Sequence, residues 1–309
     1  MNDKKSISTL VKRKAIDLGF SGIAFSKAEY MNEEAKNLEK WLNQNYHGEM
    51  SYMANHFDKR VDPTLLVPGA KSVICLMYNY YHDAAQDDET APKISMYALG
   101  KDYHKIVKKK LKSLYLYMQE LIGNIDARCF VDSAPILERD WAKRAGLGWI
   151  GKNTLLIHPK KGSYFFLAEI ICDIELEYDT PMKDYCGTCT RCIEACPTDA
   201  ISEKGFVLDA SKCISYLTIE LKNEIPSEFK NKMGDYMYGC DICQQVCPWN
   251  RFSTPHAEEN FLPSDILLQM SKKEWQELNE EKFEIIFKNS AVKRTKYRGL
   301  KRNIQFLYD

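Results

Sequence analysis

The sequence predicts a mixed fold of helices and strands, of the α/β or α+β class, followed by a cysteine-rich module and a helical tail. Periodicity indicates the first part, because stretches with apolar residues three and four apart alternate with short β-prone runs up to about residue 175. Cysteine spacing indicates the module, since eight of the eleven cysteines fall between residues 186 and 247. We place the domain boundaries at 1–177, 178–250 and 251–309.

The first part contains the following predicted elements, in chain order: a helix over 7–18, strand 22–25, a helix near 38–42, buried strand 72–81, an amphipathic helix over 107–121, strand 129–131, a helix ending near 145, and strands 154–157 and 164–172. The long helix has apolar residues at steps of four and three, which is the spacing of one buried helical face. Residues 159–162 form a turn-rich Pro-Lys-Lys-Gly segment between the last two strands, which predicts a hairpin there.

Composition and charge narrow the classes of function. The chain has 309 residues, with 45% hydrophobic and 28% charged residues and a formal net charge of zero. No overall field therefore attracts nucleic acid or membrane, and a polyanion has to be bound by a local basic patch. The N-terminal segment lacks the apolar core of a signal peptide, and the apolar run 164–172 is too short to cross a bilayer. We expect a cytoplasmic protein without membrane association.

The eight clustered cysteines have the spacing of ligands to two iron–sulfur clusters. Residues 186–197 read C-x2-C-x2-C-x3-C-P, the run of bacterial two-cluster ferredoxins, in which the fourth cysteine binds the other cluster. A second half, C-x2-C-x3-C-P, spans 240–248, and one more cysteine lies upstream at 213. We therefore predict two [4Fe–4S] clusters with crossed ligands: Cys186, Cys189, Cys192 and Cys247 for cluster one, and Cys213, Cys240, Cys243 and Cys196 for cluster two.

Zinc ribbons and a disulfide knot are the alternatives for these cysteines. Zinc favours C-x2-C pairs separated by a longer loop, without two C-x3-C-P endings. Disulfides are rare in a reducing compartment. The other three cysteines, Cys75, Cys129 and Cys172, lie in apolar strands, and we expect them to be buried thiols.

Two segments approximate known motifs without matching them. Residues 102–104 (Asp-Tyr-His) begin like the cobalt-binding D-x-H-x-x-G motif, but Val107 stands in the glycine position, so we expect His104 to be a surface residue at a helix start. Residues 146–153 approximate a phosphate-binding loop, but they lie between a helix and a strand, the reverse of the required order. The glycines of this loop still permit the close approach of a flat ligand.

Asp132 and the basic tail are further candidates. Asp132 follows a predicted strand, where acid–base groups are common, although helix capping explains it equally well. The tail has no acidic residue between 293 and 302, so it is either a solvated helix face or a polyanion site. Its cations are Lys293, Arg294, Lys296, Arg298, Lys301 and Arg302.

These motifs combine with segments along nearly the whole chain: residues 59–61, 100–104, 131–133, 138–139, 145–148, 152–153, 162–164, 167–169, 213–215 and 238–241. In this combination the sequence resembles the epoxyqueuosine reductase family, cobalamin-dependent iron–sulfur enzymes that complete queuosine in tRNA. The resemblance implies an α+β fold in which a nitroreductase-like cobalamin-binding domain abuts a ferredoxin-like module. It also implies a monomer.

The resemblance further implies roles for single residues. The position matching Asp132 is the family's proton donor and contacts cobalamin. The positions matching Arg60, Ser215, Cys240 and Asp241 lie in motifs that border the corrin. We expect apolar surroundings to hold Asp132 protonated near neutral pH, so that it protonates the oxygen of the opening epoxide.

The implied activity is the reduction of epoxyqueuosine to queuosine at the wobble position of tRNA. An external one-electron donor of the flavodoxin or ferredoxin type would supply electrons, which the two clusters relay to cobalamin. Longer family members continue into a helical-repeat domain that helps to hold tRNA, whereas this sequence ends at Asp309. We therefore expect RNA contacts at the basic tail and the domain surfaces.

Two other functions fit part of the pattern. A cobalamin enzyme of the reductive dehalogenase type shares the pairing of cofactors, but it usually carries an export signal and has no need of a basic tail. A ferredoxin-type electron carrier without enzymatic activity needs only the cysteine module, not the first 180 residues. Binding of a corrinoid discriminates the carrier from both enzymes.

Overall fold

The computed structural model describes residues 4–308, and its strands are β1 Gly22–Lys27, β2 Ser72–Asn79, β3 Lys93–Ile94, β4 Ala127–Phe130, β5 Trp149–Ile150, β6 Leu156–Ile157, β7 Phe165–Cys172 and β8 Tyr236–Tyr238. An antiparallel sheet of order β1-β2-β7-β4 forms the centre. Two smaller sheets pair β3 with β8 in parallel and β5 with β6 antiparallel.

The helices are α1 Lys4–Asp17, α2 Asn32–Asn43, α3 Phe57–Val61, α4 Tyr103–Ile122, α5 Glu138–Arg144, α6 Arg191–Glu194, α7 Ile214–Ile219, α8 Ile242–Gln245, α9 Asp265–Gln269, α10 Lys272–Gln276, α11 Glu280–Ile286 and α12 Lys296–Tyr308. The central sheet, the flanking helices and the helical C-terminal part confirm the α+β prediction. Asp102 caps α4, because its side chain accepts a hydrogen bond from the backbone N–H of His104.

The central sheet is buried on both faces, which explains the continuous apolar run of β2. Side chains alternate between the faces of a strand. Ile74 and Leu76 face the core that contains the apolar stripes of α1 and α4. Val73 and Cys75 face the opposite core, which contains the Trp141 side chain of α5. The sheet thus holds the end of β4, and the loop after it, between two packed layers.

The predicted hairpin between residues 154–157 and 164–172 is wrong. β6 pairs with β5, whereas β7 pairs with β2 and β4, and only an isolated bridge from His158 to Gly162 forms in the segment between the two predicted strands. Residues 159–162 do form a turn, but β7 is a long buried strand that pairs with β2 and β4 in the central sheet. The short β6 instead closes a small hairpin with β5.

The C-terminal helices form a third core with a segment from the first part of the chain. Trp275, Phe283 and Phe287 are buried in one cluster with Ile94 and Tyr238. Residues 91–98 therefore pack against the tail, and the boundaries drawn at 177 and 250 stay a prediction. Among the helices of residues 4–308, none combines the length and the apolar character that crossing a bilayer requires.

Candidate functional site

Asp132 lies in the loop between β4 and α5 with an uncommon backbone conformation. Its φ of 55° falls in the left-handed region, which non-glycine residues seldom adopt, although aspartate tolerates it better than most. The backbone N–H of Asp132 donates to Oε1 of Glu138 at 2.6 Å. This contact with the first residue of α5 holds the loop.

The Asp132 carboxylate joins a short chain of hydrogen bonds. The Tyr103 hydroxyl donates to Oδ2 at 2.7 Å, and Nε2 of His104 lies 3.2 Å from the same oxygen. Nδ1 of His104 lies 2.7 Å from Oδ1 of Asp102. Tyr103 is fixed in turn by stacking on Phe166, with ring centroids 4.0 Å apart. His104 thus lies between two carboxylates.

The proton of this group is held by His104. Hydrogen bonds to Asp102 and then to Asp132 raise the pKa of His104 to about 9, although burial opposes the shift. Burial would raise the pKa of Asp132, but the hydrogen bonds from His104 and Tyr103 and the charges of His104 and Arg294 outweigh it and lower that pKa. The expectation that apolar surroundings keep Asp132 protonated is therefore wrong. The Asp132 side chain is 50% exposed and paired.

Two acidic side chains lie behind the Asp132 loop. Burial, and then the charge of Asp132, raises the pKa of Glu138 to about 8. Burial and the charge of Glu138 raise the pKa of Glu169 well above its usual range. Neither carboxyl oxygen of Glu169 has a hydrogen-bond partner within the described part of the chain. Burial thus favours the protonated form of both groups, whereas the lowered pKa of Asp132 favours its carboxylate.

Arg294 reaches this centre from the C-terminal part of the chain. Its guanidinium pairs with Glu220 at 2.8 Å and lies 6.0 Å from the Tyr52 ring centroid. Its charge also lowers the pKa of Asp132, although the two residues are far apart in the sequence. Arg60 is buried nearby, where its Nη2 donates to the backbone oxygen of Tyr52 at 2.6 Å. Arg60 thus holds the backbone of the segment that contains Tyr52.

The residues expected to border a corrin from the cluster module occupy one region. Asp241 is buried, and its carboxylate accepts hydrogen bonds from the Ser95 hydroxyl and from the backbone N–H of Met96, the latter at 2.7 Å. It thereby links the loop of Cys240 to the segment after β3. Ser215 lies in the first turn of α7 and is partly exposed.

None of the eight module cysteines forms a disulfide, and all are partly exposed. One small cavity is lined by the thiols of Cys186, Cys189, Cys192 and Cys247, without Cys196. The charge of Cys247 is the leading electrostatic contribution that raises the pKa of Cys192, after burial. The first half of the motif and the last cysteine of the second half therefore face each other.

The other four cysteines also lie close together. After burial, the charges of Cys213 and Cys196 contribute to raising the pKa of Cys240, and the charges of Cys213 and Cys240 contribute to raising that of Cys243. In residues 4–308, no three histidine, cysteine or acidic side chains converge as ligands of a single ion. A four-iron cluster differs, because each thiolate binds its own iron atom.

A cavity of about 560 Å³ lies where the cluster module meets the first part of the chain. Its walls are aromatic and aliphatic, with side-chain amides and two arginines at the cluster side; the lining residues are Tyr81, Met96, Tyr164, Arg191, Gln245, Val246, Cys247, Pro248, Asn250 and Arg251. This volume is within the usual range for small-molecule sites, about 300–1,000 Å³.

The basic residues of the tail have different environments. Arg302 is half-buried and donates to the backbone oxygens of Leu217 and Leu221 at 2.9 Å. Nζ of Lys301 likewise donates to the backbone oxygens of residues 276 and 278. Lys293 pairs with Glu284, as Arg294 does with Glu220. Of the six cations, those exposed without an ion pair in the described chain are Lys296 and Arg298.

Sequence reasoning missed the roles of His104, Tyr103 and Arg294 in the Asp132 site. The sequence does place Tyr103 and His104 at a helix start, directly after Asp102. No local pattern shows that Asp132 contacts them. The sequence predicts Arg294 only as one of six tail cations at a solvated face or an RNA site, because no pattern links it to Asp132.

Comparison with known proteins identifies the family. A family model described as "Epoxyqueuosine reductase QueG, DUF1730" matches residues 60–133, and one described as "4Fe-4S double cluster binding domain" matches residues 185–250. The epoxyqueuosine reductase of Cellulophaga algicola is 57% identical over 99% of this chain and 100% of its own. The chain belongs to the epoxyqueuosine reductase family. It is accordingly an oxidoreductase with an iron–sulfur module.

More distant family members share the same fold. The epoxyqueuosine reductase of Escherichia coli is 42% identical over 98% of this chain and 80% of its own. A crystal structure of an epoxyqueuosine reductase with an epoxyqueuosine-modified tRNA stem loop is 29% identical, with a TM-score of 0.86 over 98% of this chain and 81% of that one. In a structure from Bacillus subtilis, 28% identical with a TM-score of 0.85 over 98% and 81%, the catalytic aspartate loop is swung out of the active site.

A reductive dehalogenase, whose structure suggests a mechanism for B12-dependent dehalogenation, shares the fold alone. It is 16% identical, with a TM-score of 0.51 over 81% of this chain and 32% of that one.

Proposed function

We propose that this protein reduces epoxyqueuosine to queuosine in the anticodon loop of tRNA, using cobalamin and electrons relayed through two [4Fe–4S] clusters. The observation that carries the proposal is the Asp102–His104–Asp132–Tyr103 chain of hydrogen bonds in a molecule that also holds two groups of four thiols. Removing the epoxide oxygen as water takes two electrons and two protons. Clusters bound by the thiols would transfer the electrons, and the Asp132 site would donate the protons.

Asp132 delivers a proton that His104 stores. The imidazolium of His104 is protonated up to about pH 9 and lies within hydrogen-bond distance of Asp132. Asp132 can take this proton and pass it to the substrate oxygen, while Asp102 accepts a hydrogen bond from Nδ1–H and orients the neutral ring that remains. The Tyr103 hydroxyl orients the carboxylate. Proton delivery is thus a property of the pair rather than of an isolated acid.

Each thiol group would bind one [4Fe–4S] cluster, with the crossed ligands stated above. Two thiols of the second group lie deeper than Cys192 of the first, since burial raises the pKa of Cys243 well above its usual range and that of Cys240 to about 12, but that of Cys192 only to about 11. We assign cluster one as the entry point for electrons from an external one-electron donor. Cluster two, beside Ser215 and Asp241, would face the corrin.

The corrin, a broad, flat ring edged with amide side chains, would lie between the Asp132 loop and the Cys240 loop. The 560 Å³ cavity is a different part of the surface, because it is lined by Cys247 of cluster one and by none of the residues expected to border the corrin. Ser215 and the Cys240 loop would contact the ring from the cluster module, and Asp132 from the other side. Bound cobalamin would supply a strongly reducing cobalt centre that no side chain can replace.

The RNA would be held by exposed cations and by the pocket for the flipped base. A related enzyme has been crystallised with a modified tRNA stem loop. Lys296 and Arg298 are exposed and available to phosphates, whereas Lys301 and Arg302 already hold backbone oxygens. A base in the anticodon loop has to leave its stack to reach a buried cofactor.

Conversion of a short RNA tests the proposal. Reduced protein loaded with cobalamin should convert an anticodon stem-loop that contains epoxyqueuosine, whereas the same loop with guanine should bind comparably without reacting. Lys296→Gln with Arg298→Gln should weaken binding, and Lys36→Gln, a control on α2 whose side chain is 73% exposed, should not. If the protein binds neither RNA at low salt but reduces a halogenated substrate, the dehalogenase function replaces this one. If it binds no corrinoid, it is an electron carrier.

A further inference from the structure

Strand β5 and the loop that follows it contact both cysteine runs with side-chain donors. Trp149 is 1% exposed, and its Nε1–H donates to Sγ of Cys186 at 3.4 Å. Nζ of Lys152 donates to the backbone oxygens of Gly187 at 2.8 Å and Cys189 at 2.9 Å. Nδ2 of Asn153 donates to the backbone oxygen of Cys243 at 3.4 Å. These contacts bring an indole N–H and an ammonium group to the loop of the first three cluster-one ligands.

Lys152 and Trp149 are held in place by their surroundings. The backbone oxygen of Lys152 accepts a hydrogen bond from Phe206 N–H, and Gly205 packs so closely that a Cβ there would lie 2.6 Å from Cβ of Lys152. The Trp149 ring packs edge-on against Trp249 at 5.0 Å. Lys152 also lines the cavity shared by the four cluster-one thiols. The fold therefore holds the backbone of Lys152 and the ring of Trp149 in place beside the cluster-one thiols.

We propose that Trp149 and Lys152 are positioning residues that raise the reduction potential of cluster one, an inference that rests on the cluster assignment proposed above. Reduction adds one negative charge to a cluster and its thiolates. A hydrogen bond to a ligand sulfur and a nearby ammonium group stabilise the reduced state more than the oxidised state. Removing either donor makes cluster one harder to reduce. Cluster two receives neither of these two donors and keeps its potential.

The test is a redox titration of the full chain followed by EPR, with the iron content of each variant measured first. Trp149→Phe keeps an aromatic ring and removes the N–H, and Lys152→Met keeps most of the apolar stem and removes the charge. Each should lower the ratio of reduced to oxidised cluster one at a fixed potential by roughly threefold to tenfold, the effect of about one hydrogen bond. The signal changed by Cys247→Ser identifies cluster one.

Matched controls separate this role from packing. Trp275→Phe removes an indole N–H from a buried ring of the C-terminal core, and Lys160→Met removes an exposed charge near β6; both should titrate like the parent protein. The inference is overturned if both test variants bind about eight irons and cluster one keeps its reduction potential, or if the potentials of both clusters shift equally. Either outcome leaves the proposed function intact. About four irons, or stoichiometric zinc, in the parent protein overturns the cluster assignment itself.

Discussion

Replacing Asp132 by Asn separates the charge of this residue from its shape. The amide oxygen of Asn can still accept from the Tyr103 hydroxyl, and the loop contact from the backbone N–H to Glu138 is unchanged. The variant loses the negative charge that faces Nε2 of His104, while Asp102 still faces Nδ1. The expected consequences are a lower pKa of His104 and the loss of proton delivery to the substrate.

The size of the first effect follows from the pKa of His104. A rise from 6.5 to about 9 corresponds to about 3 kcal/mol of preference for the imidazolium, at about 1.4 kcal/mol per tenfold change. Asp102 is the larger contributor, and the Asp132 side chain is 50% exposed, so solvent screening reduces its share to about 1 kcal/mol. The pKa of His104 should therefore fall by about 1 in Asp132→Asn.

The sign of the pH dependence is fixed by the direction of this shift. The folded protein raises the pKa of His104, so the stabilising interaction is fully present below about pH 6.5 and is lost as the pH rises through about 9. Single-turnover conversion of the modified stem-loop should consequently slow as the pH passes about 9. His104→Gln should remove this pH dependence, because the residue that titrates is absent.

Single-turnover rates measured from about pH 6 to about pH 10 provide the assay. Asp132→Asn should react at least about a hundredfold more slowly at neutral pH, the usual contribution of a general acid, with iron content and cobalamin binding unchanged. Asp126→Asn, at an exposed aspartate before β4, is the control for loss of one carboxylate. If Asp132→Asn reacts as fast as the parent, or if the parent rate does not change through about pH 9, the proton-delivery role is refuted.

Anaerobically reconstituted protein should bind about eight irons, and Cys196→Ser and Cys247→Ser should each damage a different cluster in EPR spectra; a content near four irons contradicts crossed ligation. Replacing Lys296 and Arg298 by Gln should reduce the slope of log affinity against log salt by about 0.7–0.9 for each phosphate that is no longer neutralised, and an unchanged slope excludes these two cations from the RNA site. Because folding raises the pKa of Glu138 from 4.5 to about 8, the folded chain holds more protons than the unfolded chain between these values, and stability falls as the pH rises through this window. Glu138→Gln should flatten this fall in urea unfolding, and an equally steep fall would show that Glu138 is not its source.

Much of the fold was predictable from spacing between near neighbours. The period of the apolar residues in α4 and the apolar run of β2 predicted both elements, because each reports the face that its own backbone buries. The cysteine runs 186–197 and 240–248 indicate an iron–sulfur module for the same reason, since ligand spacing within a short loop is a local property. The crossed grouping joins distant runs and stays a prediction, which the cavity lined by Cys186, Cys189, Cys192 and Cys247 supports. The false hairpin at 159–162 shows the limit, because a turn signal does not specify which strands pair.

The chemistry of the site depends on residues that only the tertiary structure brings together. The sequence identified Asp132, but the lowered pKa of Asp132 results from His104 and Arg294. His104 precedes β4, and Arg294 lies in the C-terminal part of the chain. Likewise, the sequence around Trp149 and Lys152 only approximates a phosphate-binding loop. The tertiary structure shows that both side chains contact the cluster loops. Burial and hydrogen bonding set the pKa of a side chain, and both arise from neighbours that are distant in the sequence. The sequence by itself therefore determined the spacing of the cluster cysteines and most of the secondary structure, whereas the folded chain decided which groups hold the proton and which ones contact the cluster loops.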